Sequence, residues 1–339
     1  MKFSIIPYDP SRRAAWNDAV KHMRQQSFLI DRGFMDYHSD RFEDASLMAT
    51  DERGHVLALF PANRAPGSER LVQSHGGLTY GGLLTHPHLG TKDVGEILRG
   101  CISFYGKAGF SELLYKPMPH IYHQQPAEED LYWMHRMGAR LVHRAVSSAI
   151  LLPHALPLSK LRLRKVKKAR RMERTLHSTD PLWLPQFWNV LDEVLTSRHH
   201  THPVHTLKEL QLLMSRFPEH IVLHTLVRHE TDGAGCGKVL AGCLLFVTAC
   251  VVHVQYIAAS EEGRDTGALD LLFDEIISQW SSNASGPRYL DFGISTEDHG
   301  RLLNEGLIFQ KEGFGARAVC YDEYALRFDD SEALQHLTI

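Results

Sequence analysis

Cysteine is scarce: the chain has five in 339 residues, none paired as C-x-x-C. That spacing excludes a zinc ribbon and a disulfide scaffold. Cys236, Cys243 and Cys250 recur every seven residues and read as small apolar fillers. No cysteine sits in a context that would activate a thiolate, and no G-x-S-x-G elbow supplies a serine nucleophile. An excess of one charge is missing as well. Lys plus Arg is 37 and Asp plus Glu is 40, a formal charge of −3, which argues against a general nucleic-acid coat or a polybasic membrane binder. The opening MKFSIIPYDPSRR lacks an apolar region of signal-peptide length. A cytoplasmic, reducing setting is therefore the expectation. One uncharged stretch, Val239 to Ala259, matches a membrane span in length. It carries His253 and Gln255, however, and residues 251–257 alternate with a period of two, the mark of a strand. Two buried strands turning near Thr248–Ala249 are expected there, and no membrane span.

What is present suits a globular chain: 43% hydrophobic and 23% charged residues. The first half reads as a strand (Phe3–Pro7), a helix (Arg12–Gln25) and a hairpin over 46–60. An amphipathic helix (Asp93–Ala108), a strand (Glu112–Lys116), a helix (Glu128–Met137) and a strand (Val146–Leu152) follow. A basic helical stretch, LSKLRLRKVKKARRMER, comes next. The second half gives a helix over Gln186–Leu195, a polar histidine-rich loop at 199–205, and a helix over Leu207–Phe217 with Thr206 and Glu209 as a capping box. Strands are expected at His220–Arg228, Val239–Val247, Val251–Ala258, Tyr289–Phe292 and Arg317–Arg327, with helices over Ala268–Trp280 and Arg301–Lys311. The halves repeat one order: hairpin, strand, amphipathic helix, short strand. That pattern predicts an α/β chain with mixed sheets and a duplicated domain. The expected partition is 1–155, a basic helical linker over 156–180, and 181–339.

The second-half order resembles the GNAT acyltransferase fold. At its centre, Tyr256-Ile257-Ala258-Ala259-Ser260-Glu261-Glu262-Gly263-Arg264-Asp265-Thr266-Gly267-Ala268 is similar to the family's turn Arg/Gln-x-x-Gly-x-Gly/Ala. Arg264 and Gly267 match its first fixed points, and Leu269 stands where Gly or Ala is usual. Tyr289-Leu290-Asp291-Phe292-Gly293 and Phe309-Gln310-Lys311 with Phe314-Gly315 resemble the FemAB-like branch, as do the N-terminal runs 36–44 and 76–82. The resemblance implies two tandem GNAT-like domains around an interdomain cleft. It also implies an acyl-CoA, most simply acetyl-CoA, as co-substrate, and an amine of a sugar- or amino-acid-like acceptor, in the manner of cell-surface polysaccharide biosynthesis. The less favoured implication is a Fem-type transfer from aminoacyl-tRNA to a peptidoglycan precursor. A fold that has lost catalysis and only binds is a third reading.

Acyl transfer to an amine needs an unprotonated amine, a donor for the developing oxyanion and a proton path for the leaving group. Lys311, matched to the family's helix lysine, is the first candidate, to stabilise the carbonyl oxygen or grip a phosphate. Asp291 is either a structural partner for Lys311 or Arg288, or a base. Tyr256 is a candidate proton donor and Gln255 lies on the strand that would meet pantetheine. His205, beside the capping box, is a candidate for base work or acceptor contact. Arg264 and Gly267 are the expected pyrophosphate residues. In the first half, His75 and Tyr80 lie among glycines that admit a ligand to the main chain, and Lys116 and His123 flank a loop suited to substrate. The histidine spacing does not favour a metal site. The basic stretch, with Lys165, Lys168 and Arg171, would carry any tRNA contact. Oligomeric state is not legible.

Overall fold

The alternating segments fold as strands and the 3.6-period segments as helices. A computed structural model describes residues 2–173, 175–229 and 237–328; Cys236, and Arg174 of the basic stretch, lie outside them. In chain order the first elements are β1 (Phe3–Pro7), α1 (Arg13–Val20), α2 (Arg32–Met35), β2 (Leu47–Asp51), β3 (Val56–Phe60), β4 (Ala62–Arg64), β5 (Leu71–Ser74), β6 (Leu84–Thr85), α3 (Thr91–Lys107), β7 (Glu112–Tyr115), α4 (Glu129–Arg136) and β8 (Arg140–Leu151). Then come α5 (Lys160–Ala169), β9 (Thr175–Ser178), α6 (Leu184–His199), α7 (Leu207–Arg216), β10 (Ile221–His229), β11 (Gly237–Val247), β12 (Val251–Ala259), α8 (Glu261–Thr266), α9 (Ala268–Ser281), β13 (Tyr289–Ile294), β14 (Thr296–Glu297), β15 (Leu302–Leu303), α10 (Glu305–Glu312) and β16 (Arg317–Arg327).

The chain divides into two compact units. One comprises Met1–Ala145, Thr296–Leu302 and Cys320–Ile339; the other comprises Val146–Ser295 and Leu303–Val319. In the first, β1, β2, β3 and β6 pair antiparallel in that order. β5 pairs parallel with β7, and β7 antiparallel with the end of β16, Tyr115 opposite Tyr324. Val94, Ile97, Leu98, Cys101 and Tyr105 of α3 bury against Phe60, Leu113 and Tyr115, as the helical period of those residues requires.

In the second unit β9, β10, β11 and β12 form an antiparallel run, β12 pairs parallel with β13, and β13 antiparallel with β8. Leu271, Leu272, Phe273 and Ile276 of α9 pack on Leu245, Val252 and Val254 of the sheet. Val239 to Ala259 is the pair of strands β11 and β12, and among the described residues no helix is long and apolar enough to cross a membrane.

Three expectations are corrected. The 156–180 segment is no free linker: Val166 and Ala169 of α5 are buried in the second unit's core, because its apolar stripe needs a partner and α9 supplies one. The end of β16, from Cys320 to Arg327, counts with the first unit, since it completes the sheet of β7 there. Finally, the β12 alternation reverses part-way. Leu244 lies opposite Tyr256 and Leu245 opposite Val254, so Gln255 is an extra, bulged residue. One inserted residue flips every side chain beyond it to the other face. Tyr256 consequently turns away from Val254's face, and its ring meets Trp188 of α6 edge-on at 5.1 Å.

Candidate active site

β12 and β13 run side by side for only three rungs: Val251 opposite Tyr289, Val252 opposite Leu290, and His253 opposite Asp291. Beyond them β12 bulges at Gln255 and stays with β11, while β13 turns at Gly293, whose φ of 75° is easy only for glycine. A cavity of about 350 Å³ opens past the last rung. Val254, Ile257 and Ala258 of β12 and Phe292 of β13 make its apolar wall. Every residue that lines it, Lys311 included, belongs to the second unit.

Lys311 reaches this cavity from the last turn of α10. Asn304 starts that helix, its side chain accepting from Leu307 N at 3.0 Å. The Lys311 ammonium donates to Gly293 O at 2.7 Å and Ile294 O at 2.8 Å, and the residue is 7% exposed. Burial pushes its pKa down to about 8, against the pull of Asp291 nearby. Phe314, just past the helix, stacks on Phe292 at 5.6 Å. Arg162 of α5 lies over the Phe314 ring and donates to Asp270 at 2.7 Å. Its Nε is buried with no hydrogen-bond partner. Lys165 approaches Asp270 at 3.9 Å. The cavity is thus lined by Arg162, Lys165, Arg264 and Lys311 against one carboxylate, Asp270. Apolar walls with a cationic rim suit an extended ligand that ends in phosphate.

The other candidates are placed as follows. Asp291 is fully buried, accepts from Ser147 Oγ and Gly293 N, and holds His253 Nδ1 at 2.9 Å; it acts on Lys311 through space. His205 Nδ1 and the Tyr256 hydroxyl are 2.6 Å apart, and burial raises the Tyr256 pKa. Arg264 donates to Ala259 O at 2.8 Å while lining the cavity. Gly267 has φ 81° and links α8 to α9, with Lys165 O 2.9 Å from where a Cβ would stand. The expected open turn is therefore a short helix, α8, ended by Gly267, and Gly263 is the residue under the tightest constraint: a Cβ there would lie 1.9 Å from Leu240 O.

In the first unit Gly76 and Gly77 lie against the protein's own side chains. A Cβ on Gly77 would strike His38 Nε2 at 2.1 Å, and one on Gly76 would strike Gln73 Nε2 at 2.3 Å. These glycines make room for the protein's own side chains. His75 (3% exposed), Tyr80 and His123 are interior: Tyr80 bonds Ser27 at 2.9 Å and His123 donates to Met118 O at 3.0 Å. Lys116 donates to Leu78 O at 3.3 Å, and burial lowers its pKa. Sequence reasoning missed His253, Ser147 and Arg162. The signal for His253 was present, a polar residue alternating with valines, but its carboxylate partner lies on a distant strand.

Burial raises the pKa of the Cys101 thiol to about 12 and also raises those of Cys243 and Cys250. Among the described residues no group of three or more His, Cys, Asp or Glu is placed to hold a metal.

Residues 159–301 match the model of the acetyltransferase (GNAT) domain family. This part of the chain is a GNAT domain. The matched span includes α5, as the packing of that helix on α9 requires. Over its length the chain has the fold of FemX, with a TM-score of 0.68 at 10% identity, covering 99% of this chain and 100% of that one. It is similar in fold to L-PGS from Bacillus licheniformis (TM-score 0.58, 15% identity, 94% and 92% covered). It is also similar to a conserved protein of unknown function from Bacteroides thetaiotaomicron (TM-score 0.60, 11% identity, 96% and 99% covered). No curated protein matches the sequence. The family match thus falls within the second unit, while the likeness to FemX covers the fold of the chain over its length.

Proposed function

We propose that the second unit transfers an acyl group, in the simplest case acetyl, from an acyl-CoA to an amine of a sugar- or amino-acid-like acceptor. The observation that carries this is the cationic cavity at the parting of β12 and β13, with Lys311 in its wall. Past His253 the β12 edge that faced β13 has lost its partner, and an extended chain bearing amides satisfies such an edge. Arg162, Lys165 and Arg264 would meet the donor's phosphates. Lys311, anchored by two carbonyls at the β13 turn, would favour negative charge developing on the acyl oxygen. With an acyl-CoA as donor the reaction would run in the cytoplasm, and an acceptor of this class would suit a step of cell-surface polysaccharide biosynthesis. Thermal shift with acetyl-CoA, CoA and dephospho-CoA tests the reading. Stabilisation that grows with the number of phosphates is expected; no shift with any of the three at millimolar concentration contradicts it.

A second reading draws on α5, whose Lys160, Arg164 and Lys167 are exposed on the helix that also brings Arg162 and Lys165 to the cavity. It is aminoacyl transfer from a charged tRNA to a peptidoglycan precursor. A complex with tRNA that weakens with salt, and weakens further when Lys165, Lys168 and Arg171 are neutralised, is its signature. No tRNA binding at low salt removes it.

A further inference from the structure

The second unit's sheet has two faces near the parting of its strands. Leu290 and Phe292 turn toward α9, where Phe292 meets Phe273 at 5.0 Å. Asp291 between them points the other way, as alternation demands. Across the parallel pair stands His253, flanked by Val252 and Val254 of the α9 core, so that it too faces away from α9. There the Asp291 carboxylate divides its two oxygens. Oδ1 accepts from Ser147 Oγ at 2.5 Å and Gly293 N at 3.1 Å, and Oδ2 accepts from His253 Nδ1 at 2.9 Å. The His253–Asp291 rung is the last before the strands separate, and 11% of the imidazole side chain reaches solvent. Gly293, whose carbonyl holds Lys311, lies against this ring: its Cβ position is 3.5 Å from His253 Cε1. A buried carboxylate is costly unless hydrogen-bonded. Here Ser147 and the Gly293 amide fix its orientation, and its second oxygen fixes a ring.

We propose that Asp291 and His253 form the proton-accepting dyad for the acyl transfer, with His253 as base and Asp291 as its positioning residue. The proposal rests on the acyltransferase reading. Asp291 accepts the Nδ1–H, which puts the basic lone pair of the neutral ring on Nε2. Nε2 takes one proton from the acceptor's ammonium. The freed amine lone pair forms the C–N bond to the acyl carbon, and the C–S bond breaks with its electrons going to sulfur. The proton still surplus on the new amide nitrogen passes through solvent to the CoA thiolate, and the imidazolium returns its own proton to solvent.

Two measurements on the full chain test this. In the first, nitrogen-15 spectra of labelled histidine report the His253 tautomer. The Nδ1–H tautomer of the neutral ring is expected, and an ordered Nε2–H tautomer overturns the dyad. In the second, CoA-thiol release from acetyl-CoA is followed with glucosamine and lysine offered as amines. His253→Ala should lose on the order of 10²- to 10⁴-fold in turnover, keep its thermal shift with acetyl-CoA, and recover part of the rate when imidazole is added. Asp291→Asn should lose turnover together with the fixed tautomer, and its KM for acetyl-CoA should hold. Full turnover in His253→Ala overturns the dyad while leaving the acyltransferase reading standing. A wild-type chain that neither binds acetyl-CoA nor releases CoA overturns that reading instead, and the tautomer result still stands on its own.

Discussion

The ammonium of Lys311 sits 2.7 Å from the carbonyl oxygen of Gly293, and that bond ties the last turn of α10 to the turn at the end of β13. Lys311 is thus both a wall of the cavity and a clamp on the strand that opens it. Lys311→Ala is consequently not expected to leave the melting temperature unchanged.

The pH dependence of that clamp has a definite sign. The folded chain holds Lys311 at a pKa of about 8, below its ordinary 10.5. Between those values the unfolded chain binds more protons than the folded one, so Lys311's contribution to stability rises with pH through that window. Urea midpoints of the wild type and Lys311→Met, measured from pH 7 to 10.5, should change in their difference in the wild type's favour above pH 8. A difference that stays constant across the range contradicts the buried ammonium.

Three interior imidazoles predict acid sensitivity. Burial lowers His75 and His224 to about 3 and His123 to about 4. The unfolded chain takes up protons near 6.5 and the folded chain does not, so stability falls as pH drops below that value. Each imidazole contributes about 1.4 kcal/mol per pH unit across the window. Asp130, raised to about 6 by burial, works in the opposite direction below that pH, as do Asp36 and Glu275, also raised by burial, while His38, His86 and His177 are lowered by burial and add to the decline. Denaturation between pH 7 and 5 should show the decline, and a flat stability curve would contradict it.

Two glycines near the cavity should respond differently to alanine. At Gly263 the new methyl would overlap Leu240 O at 1.9 Å, a collision with backbone. Gly263→Ala is expected to cost more than about 3 kcal/mol or to prevent folding. At Gly267 the φ of 81° and Lys165 O at 2.9 Å make a smaller obstacle, with an expected cost of roughly 1–2 kcal/mol. Chemical denaturation of the two variants gives the order, and equal costs would refute the placement of α8.

The Arg162–Asp270 pair is buried on both sides at 2.7 Å. Removing one partner leaves an uncompensated charge, so Asp270→Asn and Arg162→Met should each cost about 3 kcal/mol. In the double variant the costs should fall well short of additive. Additive losses in a double-mutant cycle would show that the two residues do not act as a pair.

Local order was largely legible in the sequence. Phe3–Pro7 is a strand as expected, and the capping box of Thr206 and Glu209 forms, with Glu209 N donating to Thr206 Oγ1 at 3.2 Å. Lys311 was found through a resemblance, and the structure puts it in a cavity. The reversal of faces at Gln255 was not legible, because a bulge is set by pairing with β11 and not by β12's own residues. The Asp291–His253 contact spans 38 positions and depends on the parallel pairing of two strands. The packing of Gly76 and Gly77 was not legible, because a glycine that admits a ligand and one that admits a neighbouring histidine leave the same trace in a sequence.

The account stands on the cavity beside Lys311 being the seat of an acyl-CoA. Isothermal titration of acetyl-CoA into the wild type and into the double variant Lys165→Gln, Arg264→Gln tests it most directly. The account predicts saturable binding by the wild type, weakened at least tenfold in the variant while its circular-dichroism spectrum stays that of the folded chain. Undiminished affinity in the variant, or no heat with the wild type, would contradict it.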